Sequence, residues 1–378
     1  MKSIDRSVAR GIAALLAALL VGCAAPHNAG NQPTRNAFFT VGPYVGEKGK
    51  EVMQGSMFVE HLRPARTTKP YPIVMFHGAA QTSMNWIATP DGRKGWAPYF
   101  VEQGYEVYLV DQPARGRSAW HPEIDGRLRN FPAPTIEQLF TDSATSGKWP
   151  QAKLHTQWPG DGPAKGRMGD PVFDQFYASQ VEYLASNAET QTLVRRAGAA
   201  LLDRIGPAIL LTHSQAGPFG WLLADARPKL VKGIVAVEPN APPIQASPVF
   251  GAGKQLAWGV SDIAIAYDPP IRGADELIVE QEATPSRTGL VACWKQKEPA
   301  RRLVNVGPRP IVILITESSY HAQYDHCMSD WLTQAGVKHQ MVRLEDVGIR
   351  GNGHMVMLEK NNLDVAAWIG TWLHHNVK

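Results

Sequence analysis

Clustered charge is what this sequence most plainly lacks. Its 38 Lys and Arg against 34 Asp and Glu leave a formal net charge of +4. Because the basic residues are scattered along the chain, the electrostatic footprint of a nucleic-acid binder is missing. Cysteine is scarce, with three in 378 residues. No internal repeat is visible, which sets aside solenoids and propellers. The apolar run from Gly11 to Val21 falls well short of the roughly 20 residues that span a bilayer. What is present is apolar content of 44% against 19% charged residues, enough to bury one large core and inconsistent with a disordered or fibrous chain.

Lys2, Arg6 and Arg10 precede the Gly11–Val21 run, the layout of a signal-peptide h-region, expected to be removed. Leu20-Val21-Gly22-Cys23 resembles the bacterial lipobox, which implies lipidation of Cys23 and, with Ala24 next to it, outer-membrane sorting. Soluble export after cleavage near Ala25 is the alternative. Residues 1–23 are thus read as a leader and 24–37, rich in Asn, Gly, Pro and Ala, as a tether. In such an exported chain the remaining cysteines, Cys293 and Cys327, are candidates for a disulfide, with two buried free thiols as the alternative.

Order is expected from Phe38 to the end, residues 38–378. Phe39-Thr-Val and Gly55 to Leu62 have the alternation of a leading antiparallel pair. Apolar strands then follow at Pro72–Gly78, Tyr105–Asp111, Ala208–His213, Val231–Glu238, Pro310–Thr316 and Lys338–Leu344, separated by helical stretches. Such alternation predicts an α/β fold, a mainly parallel sheet with helices on both faces. Two segments, 119–172 and 241–308, interrupt the pattern and read as lid or wall insertions above the carboxyl edge of the sheet. Their tryptophans, Trp120, Trp149, Trp158, Trp258 and Trp294, favour as a set an apolar substrate.

The stretch Ala208-Ile-Leu-Leu-Thr-His-Ser-Gln-Ala-Gly217 carries the chemistry. An apolar strand runs into Ser214 between small residues and then into a helix, the layout of a nucleophile elbow. The turn lifts a serine Oγ clear of the backbone and aims a helix N-terminus at a developing oxyanion. His77-Gly78-Ala79-Ala80 follows the early strand, where Gly78 or Ala79 would donate one oxyanion N–H and Gln215 the other. The base is expected to be His354, in Gly351-Asn-Gly-His-Met355 just before the last helix. For the acid, position leaves alternatives open: Glu317 or Asp325 after the strand next but one to the serine, and Glu238 at the tip of the next strand, where a buried carboxylate needs a partner.

His77 to Trp86, Thr89-Pro-Asp-Gly-Arg93, Gly95-Trp96, Tyr99-Phe100, Asp111 to Ser118, Thr212 to Gly217, Val237-Glu-Pro239 and Gly353-His354-Met with Asn361-Asn362 together resemble a small group of bacterial α/β-hydrolase esterases, many of them exported. The resemblance spans most of residues 70 to 375. It implies an α/β-hydrolase fold with cap insertions, a catalytic acid at Glu238, and a serine mechanism with Ser214, His354 and Glu238 in series that requires no metal or organic cofactor. The implied partner is a small to medium ester, apolar or aromatic, with no nucleic acid and with membrane contact only through the lipid anchor. A lactonase, amidase or carbon–carbon hydrolase would use the same residues, and an idle binding lipoprotein is the non-enzyme class. Three further features have smaller expected roles. His321 and Asp325, four apart, are read as a solvated helix face instead of metal ligands. Arg115 and Arg117 are expected to support the pocket rim, and His213 to pack beneath the elbow.

Overall fold

The computed structural model describes residues 33–378. The leader and the Cys23 anchor therefore lie outside the described residues. The first strand, β1 (Thr34–Thr40), begins four residues before Phe38, so the end of the expected tether belongs to the sheet. It pairs antiparallel with β2 (Met57–Arg63), Thr34 opposite Arg63 and Thr40 opposite Met57. A two-stranded ribbon, Tyr44–Val45 with Val52–Met53, fills the connection.

Six further strands complete the sheet: β3 (Ile73–Phe76), β4 (Val107–Asp111), β5 (Ala208–His213), β6 (Val231–Val237), β7 (Ile311–Ile315) and β8 (Gln340–Arg343). Their spatial order is β1-β2-β4-β3-β5-β6-β7-β8, antiparallel through β4 and parallel from there on. The central strands are buried throughout except at Lys232 of β6, as expected where helices cover both faces.

Side chains alternate between two core layers, following the two-residue period of a strand. Leu210, Ile234, Ala236, Ile311 and Ile313 face one layer, with Leu202 of α2 (Asn187–Ile205), Phe219 and Leu223 of α3 (Gly217–Ala226) and Trp331 of α4 (Asp325–Gln334). Ile209, Leu211, Val235, Val312 and Leu314 face the other, with Trp96 and Phe100 of α1 (Trp96–Glu102) and Ile369 and Trp372 of α5 (Asn362–Asn376). Helix α2 begins at a Ser186 cap, whose side chain accepts from Glu189 N, and α5 ends the domain.

The crossover from β6 to β7 departs from strict alternation. Among the described residues it holds only short 3-10 turns and a ribbon of Val279–Gln281 with Trp294–Gln296. Cys293 and Cys327 form a disulfide across 34 residues, joining this irregular segment to α4. A covalent tie suits a segment with few ladder hydrogen bonds. Opening a loop of this length costs about 2–4 kcal/mol of stability. Guanidinium unfolding of Cys293→Ala/Cys327→Ala should show that loss, and the unfolded, unreduced native protein should present no titratable thiol from either residue.

Candidate active site

Strand β5 ends at His213, and the chain turns through Ser214–Ala216 into α3. Ser214 has φ +55°, a conformation a non-glycine residue adopts only where its surroundings impose it. The imposition is visible at Gly217, where a Cβ would lie 2.6 Å from the Cα of Pro239. Only a glycine lets α3 start this close to the turn after β6. The main chain is also tied there, since Asn240 N donates to Ser214 O at 2.8 Å.

Ser214 Oγ lies 2.9 Å from His354 Nε2, and His354 Nδ1 lies 2.6 Å from Glu238 Oε2. The second carboxylate oxygen of Glu238 accepts from Thr316 N at 2.9 Å and Thr316 Oγ1 at 2.6 Å. Glu238 is fully buried with φ +47°, His354 is 1% exposed, and Ser214 is 9% exposed. Ser214 and His354 reach the cavity edge, while Glu238 stays beneath them. Burial pushes His354 well below the ordinary histidine range, with His321 adding to the effect. Burial likewise pushes Glu238 upward, against His321 and the Thr316 bonds. With Nδ1–H donated to Glu238, the imidazole presents an unprotonated Nε2 to the serine.

Glu317, the other acid candidate, is turned away. Its carboxylate accepts from Arg350 Nη1 and Gly351 N, both at 2.7 Å. Asp325 instead accepts from His321 Nδ1 at 2.8 Å. The expectation of a solvated helix face at 321 and 325 is corrected here, since both residues are fully buried. The four-residue spacing is split between a 3-10 turn, Tyr320–Gln323, and the start of α4, so it does not lie on one exposed helix stripe. The His321 ring stacks on His354 at 4.8 Å with an interplanar angle of 5°.

On the oxyanion side, Gly78 and Ala79 part ways. Gly78 N donates to Gln81 Oε1 at 3.2 Å, while Ala79 N donates to no other group among the described residues and Ala79 lines the cavity with Ser214 and Gln215. Arg115 is not at the rim. Its buried guanidinium donates to the carbonyls of Gly78 at 3.2 Å and Gln81 at 3.3 Å and to Gln215 Oε1 at 3.3 Å. It thereby braces both sides of the oxyanion region from behind. Arg117 lies farther out, held by Asp111 at 2.7 Å and Glu60 at 3.0 Å. His213 sits beneath the elbow, where its Nε2–H donates to His354 O at 3.0 Å.

A cavity of about 560 Å³ opens over Ser214. Phe131 and Phe140 reach it from the first insertion, Phe250 from the second, and Tyr183 and Tyr320 from flanking segments. None of the five tryptophans in the insertions lines it. Trp149 and Trp158 are core residues instead, and Trp149 Nε1 donates to Ser318 O at 2.9 Å. Two trios of ligand-type residues converge among the described residues, Glu238/His321/His354 and Cys293/His326/Cys327. The first is committed to the hydrogen bonds above, and the disulfide removes the thiolates of the second.

Sequence reasoning missed the support of the histidine loop. Glu359 is fully buried and accepts from Gly353 N at 2.9 Å, Asn352 Nδ2 at 2.7 Å and His155 Nε2 at 2.7 Å. An acid ending the apolar run Met355-Val-Met-Leu358 was the available signal. His155 and Tyr320 gave none, since their partners are distant in sequence.

The sheet order and a serine lifted at the strand–helix turn define an α/β-hydrolase fold. A model of the Alpha/beta hydrolase family matches residues 73–368. The chain is 44% identical over 331 residues to a protein named "Probable secreted lipase phiG" from Fungal sp. (strain ATCC 74256), covering 87% of this chain and 88% of that one. A bacterial esterase solved at atomic resolution shares the fold, with a TM-score of 0.56 and 23% identity over 91% of this chain and 96% of its own. The protein belongs to the alpha/beta hydrolase family.

Glu359→Gln would turn an amide N–H toward groups that are themselves donors. The expected cost is about 1–3 kcal/mol, measured by urea unfolding. An unchanged midpoint would mean the Glu359 network does not hold the loop.

Proposed function

We propose that this protein is a serine carboxylic ester hydrolase acting on small to medium esters with apolar or aromatic groups. The observation that carries the reading is the unbroken series from Glu238 through His354 to a strained Ser214 opening on an aromatic-walled cavity. Glu238 orients the imidazole, and His354 Nε2 takes the Ser214 proton as Oγ attacks the ester carbonyl. The N–H groups of Ala79 and Gln215 hold the oxyanion. The Gln81 bond to Gly78 N favours Ala79 over Gly78 as donor. Collapse breaks the carbon–oxygen bond, and the departing alcohol receives the proton from His354. Water then gives its proton to His354, attacks the acyl-serine and releases the acid. The chemistry described needs no cofactor.

The name of the fungal relative, a lipase described as secreted, supports both ester hydrolysis and export. Among the described residues no helix is long and apolar enough to cross a membrane. Lipidation at Cys23 and a periplasmic or outer-membrane location complete the proposal.

Hydrolysis of p-nitrophenyl acetate, butyrate and octanoate tests the reading, with intact-mass detection of a fluorophosphonate adduct on Ser214. Ser214→Ala and His354→Ala should each lower kcat about a thousandfold or more, and Glu238→Gln less severely. Glu317→Gln should change kcat by less than about threefold, as expected for a group outside the series. A larger loss at Glu317 than at Glu238 would overturn the acid assignment.

The pH dependence follows from burial of His354, which lowers its pKa. A lowered value keeps Nε2 free to accept a proton at pH values where an ordinary histidine is already charged. The acid limb of kcat/KM should therefore have its midpoint below pH 6.5. A midpoint at or above that value would contradict the role of burial.

A further inference from the structure

We propose that Tyr320 is a further catalytic residue, its hydroxyl donating a hydrogen bond to the departing alcohol oxygen of the ester. The proposal rests on the serine-hydrolase reading above. Tyr320 lines the cavity, and its hydroxyl lies 3.2 Å from His354 Nε2. Nε2 is the atom that hands its proton to the leaving oxygen, so that oxygen must come within about 3 Å of it. A hydroxyl equally close to Nε2 is placed to meet the same oxygen.

The timing of the hydrogen bonds gives this placement its consequence. Before reaction His354 Nδ1–H is given to Glu238, so Nε2 carries a lone pair that both Ser214 and Tyr320 can address. Once His354 takes the serine proton, Nε2 has no lone pair left. The Tyr320 O–H thus loses its acceptor as the tetrahedral intermediate forms, and is free when collapse of that intermediate builds negative charge on the adjacent leaving oxygen. A donor released in this way interacts more strongly with the transition state than with the resting site, which is the condition for accelerating the step. The carbon–oxygen bond breaks, the leaving oxygen takes its proton from His354, and Tyr320 keeps its own.

The residue is held for such a task. Tyr320 is 2% exposed and sits among Phe140, Trp149 and Phe250 at centroid distances of 6.2, 5.8 and 5.9 Å. Burial and the neighbouring carboxyls of Glu238 and Asp325 push its phenol well above the ordinary value, so it remains a donor throughout the working pH range. Its main chain opens the 3-10 turn Tyr320–Gln323, capped by Ser319.

A leaving-group series with a common butyryl group tests the role: p-nitrophenyl, phenyl, trifluoroethyl and ethyl butyrate. Acylation governs kcat/KM, so the alcohol is the only variable. Tyr320→Phe keeps the ring and its packing while removing the donor. The expected loss in kcat/KM is about 10–100-fold for the ethyl ester, the range for one hydrogen bond to a charged group. It should shrink steadily toward p-nitrophenyl, whose departing oxygen needs the least help. Incorporating 3-fluorotyrosine at position 320 retains the donor and should restore the ethyl ester rate to within about threefold, the span of a modestly altered hydrogen bond; this also serves should the phenylalanine variant melt early. Equal losses across the series, with the fluorophosphonate adduct still forming on Ser214, would overturn the Tyr320 role and leave the serine-hydrolase reading intact. Native protein that neither turns over an ester nor forms the adduct would overturn both.

Discussion

The 2.6 Å hydrogen bond between Glu238 and His354 is the interaction on which the rest of the site depends. Both groups are out of water, and a buried polar group left without a partner is costly. The surrounding chain is arranged so that neither is left alone. Thr316 satisfies the other oxygen of Glu238. His213 holds the main chain of His354 from below the elbow, and Glu359 holds the preceding glycine. These contacts come from the ends of three strands, β5, β6 and β7, and the loop before α5, so the bond reports on the registration of those strands.

Backbone strain is concentrated in the same place. Ser214, Glu238 and Asn240 all have positive φ, as does Ala80 in the oxyanion loop. Such conformations persist only when neighbours over-determine them. Here the neighbours are a sheet buried on both faces and the approach of Gly217 to Pro239, which a single methyl group would disturb. Arg115 adds a polar constraint, a buried cation bridging the carbonyls of Gly78 and Gln81 to Gln215. The rigid part of the molecule thus ends where the proposed chemistry begins.

The two insertions have a different physical character. Their regular structure is confined to short helical turns and two-residue to three-residue strands, yet they supply Phe131, Phe140 and Phe250 to the cavity wall. The segment 241–308 replaces the helix usual in a parallel crossover with an irregular path tied to α4 by a disulfide. Freed from the packing demands of a helix, such a segment can shape a cavity without disturbing the strand order beneath it.

Much of this architecture was legible in the chain itself. Strand positions from Ile73 to Arg343 follow from apolar runs bounded by turn residues, because a strand covered on both faces must be apolar throughout. The proposed nucleophile and base, Ser214 and His354, were legible because a nucleophile elbow and a glycine-rich loop before a final helix have local signatures. The proposed acid was legible only through the family resemblance, which pointed to Glu238; by position Glu238, Glu317 and Asp325 all follow apolar strands, and only the fold decides which carboxylate turns inward. The burial of His321 and Asp325 was not legible, because their spacing looked helical until the 3-10 turn divided it. The insertion tryptophans suggested the wrong cavity lining, because composition does not reveal which aromatics pack inward and which face a ligand. Sequence alone determined the elements and the proposed nucleophile, which rest on short-range pattern. Tertiary structure decided which carboxylate meets His354, the place of Ala79 beside Ser214, the Arg115 brace and the place of Tyr320, because each depends on contacts between residues far apart in the chain.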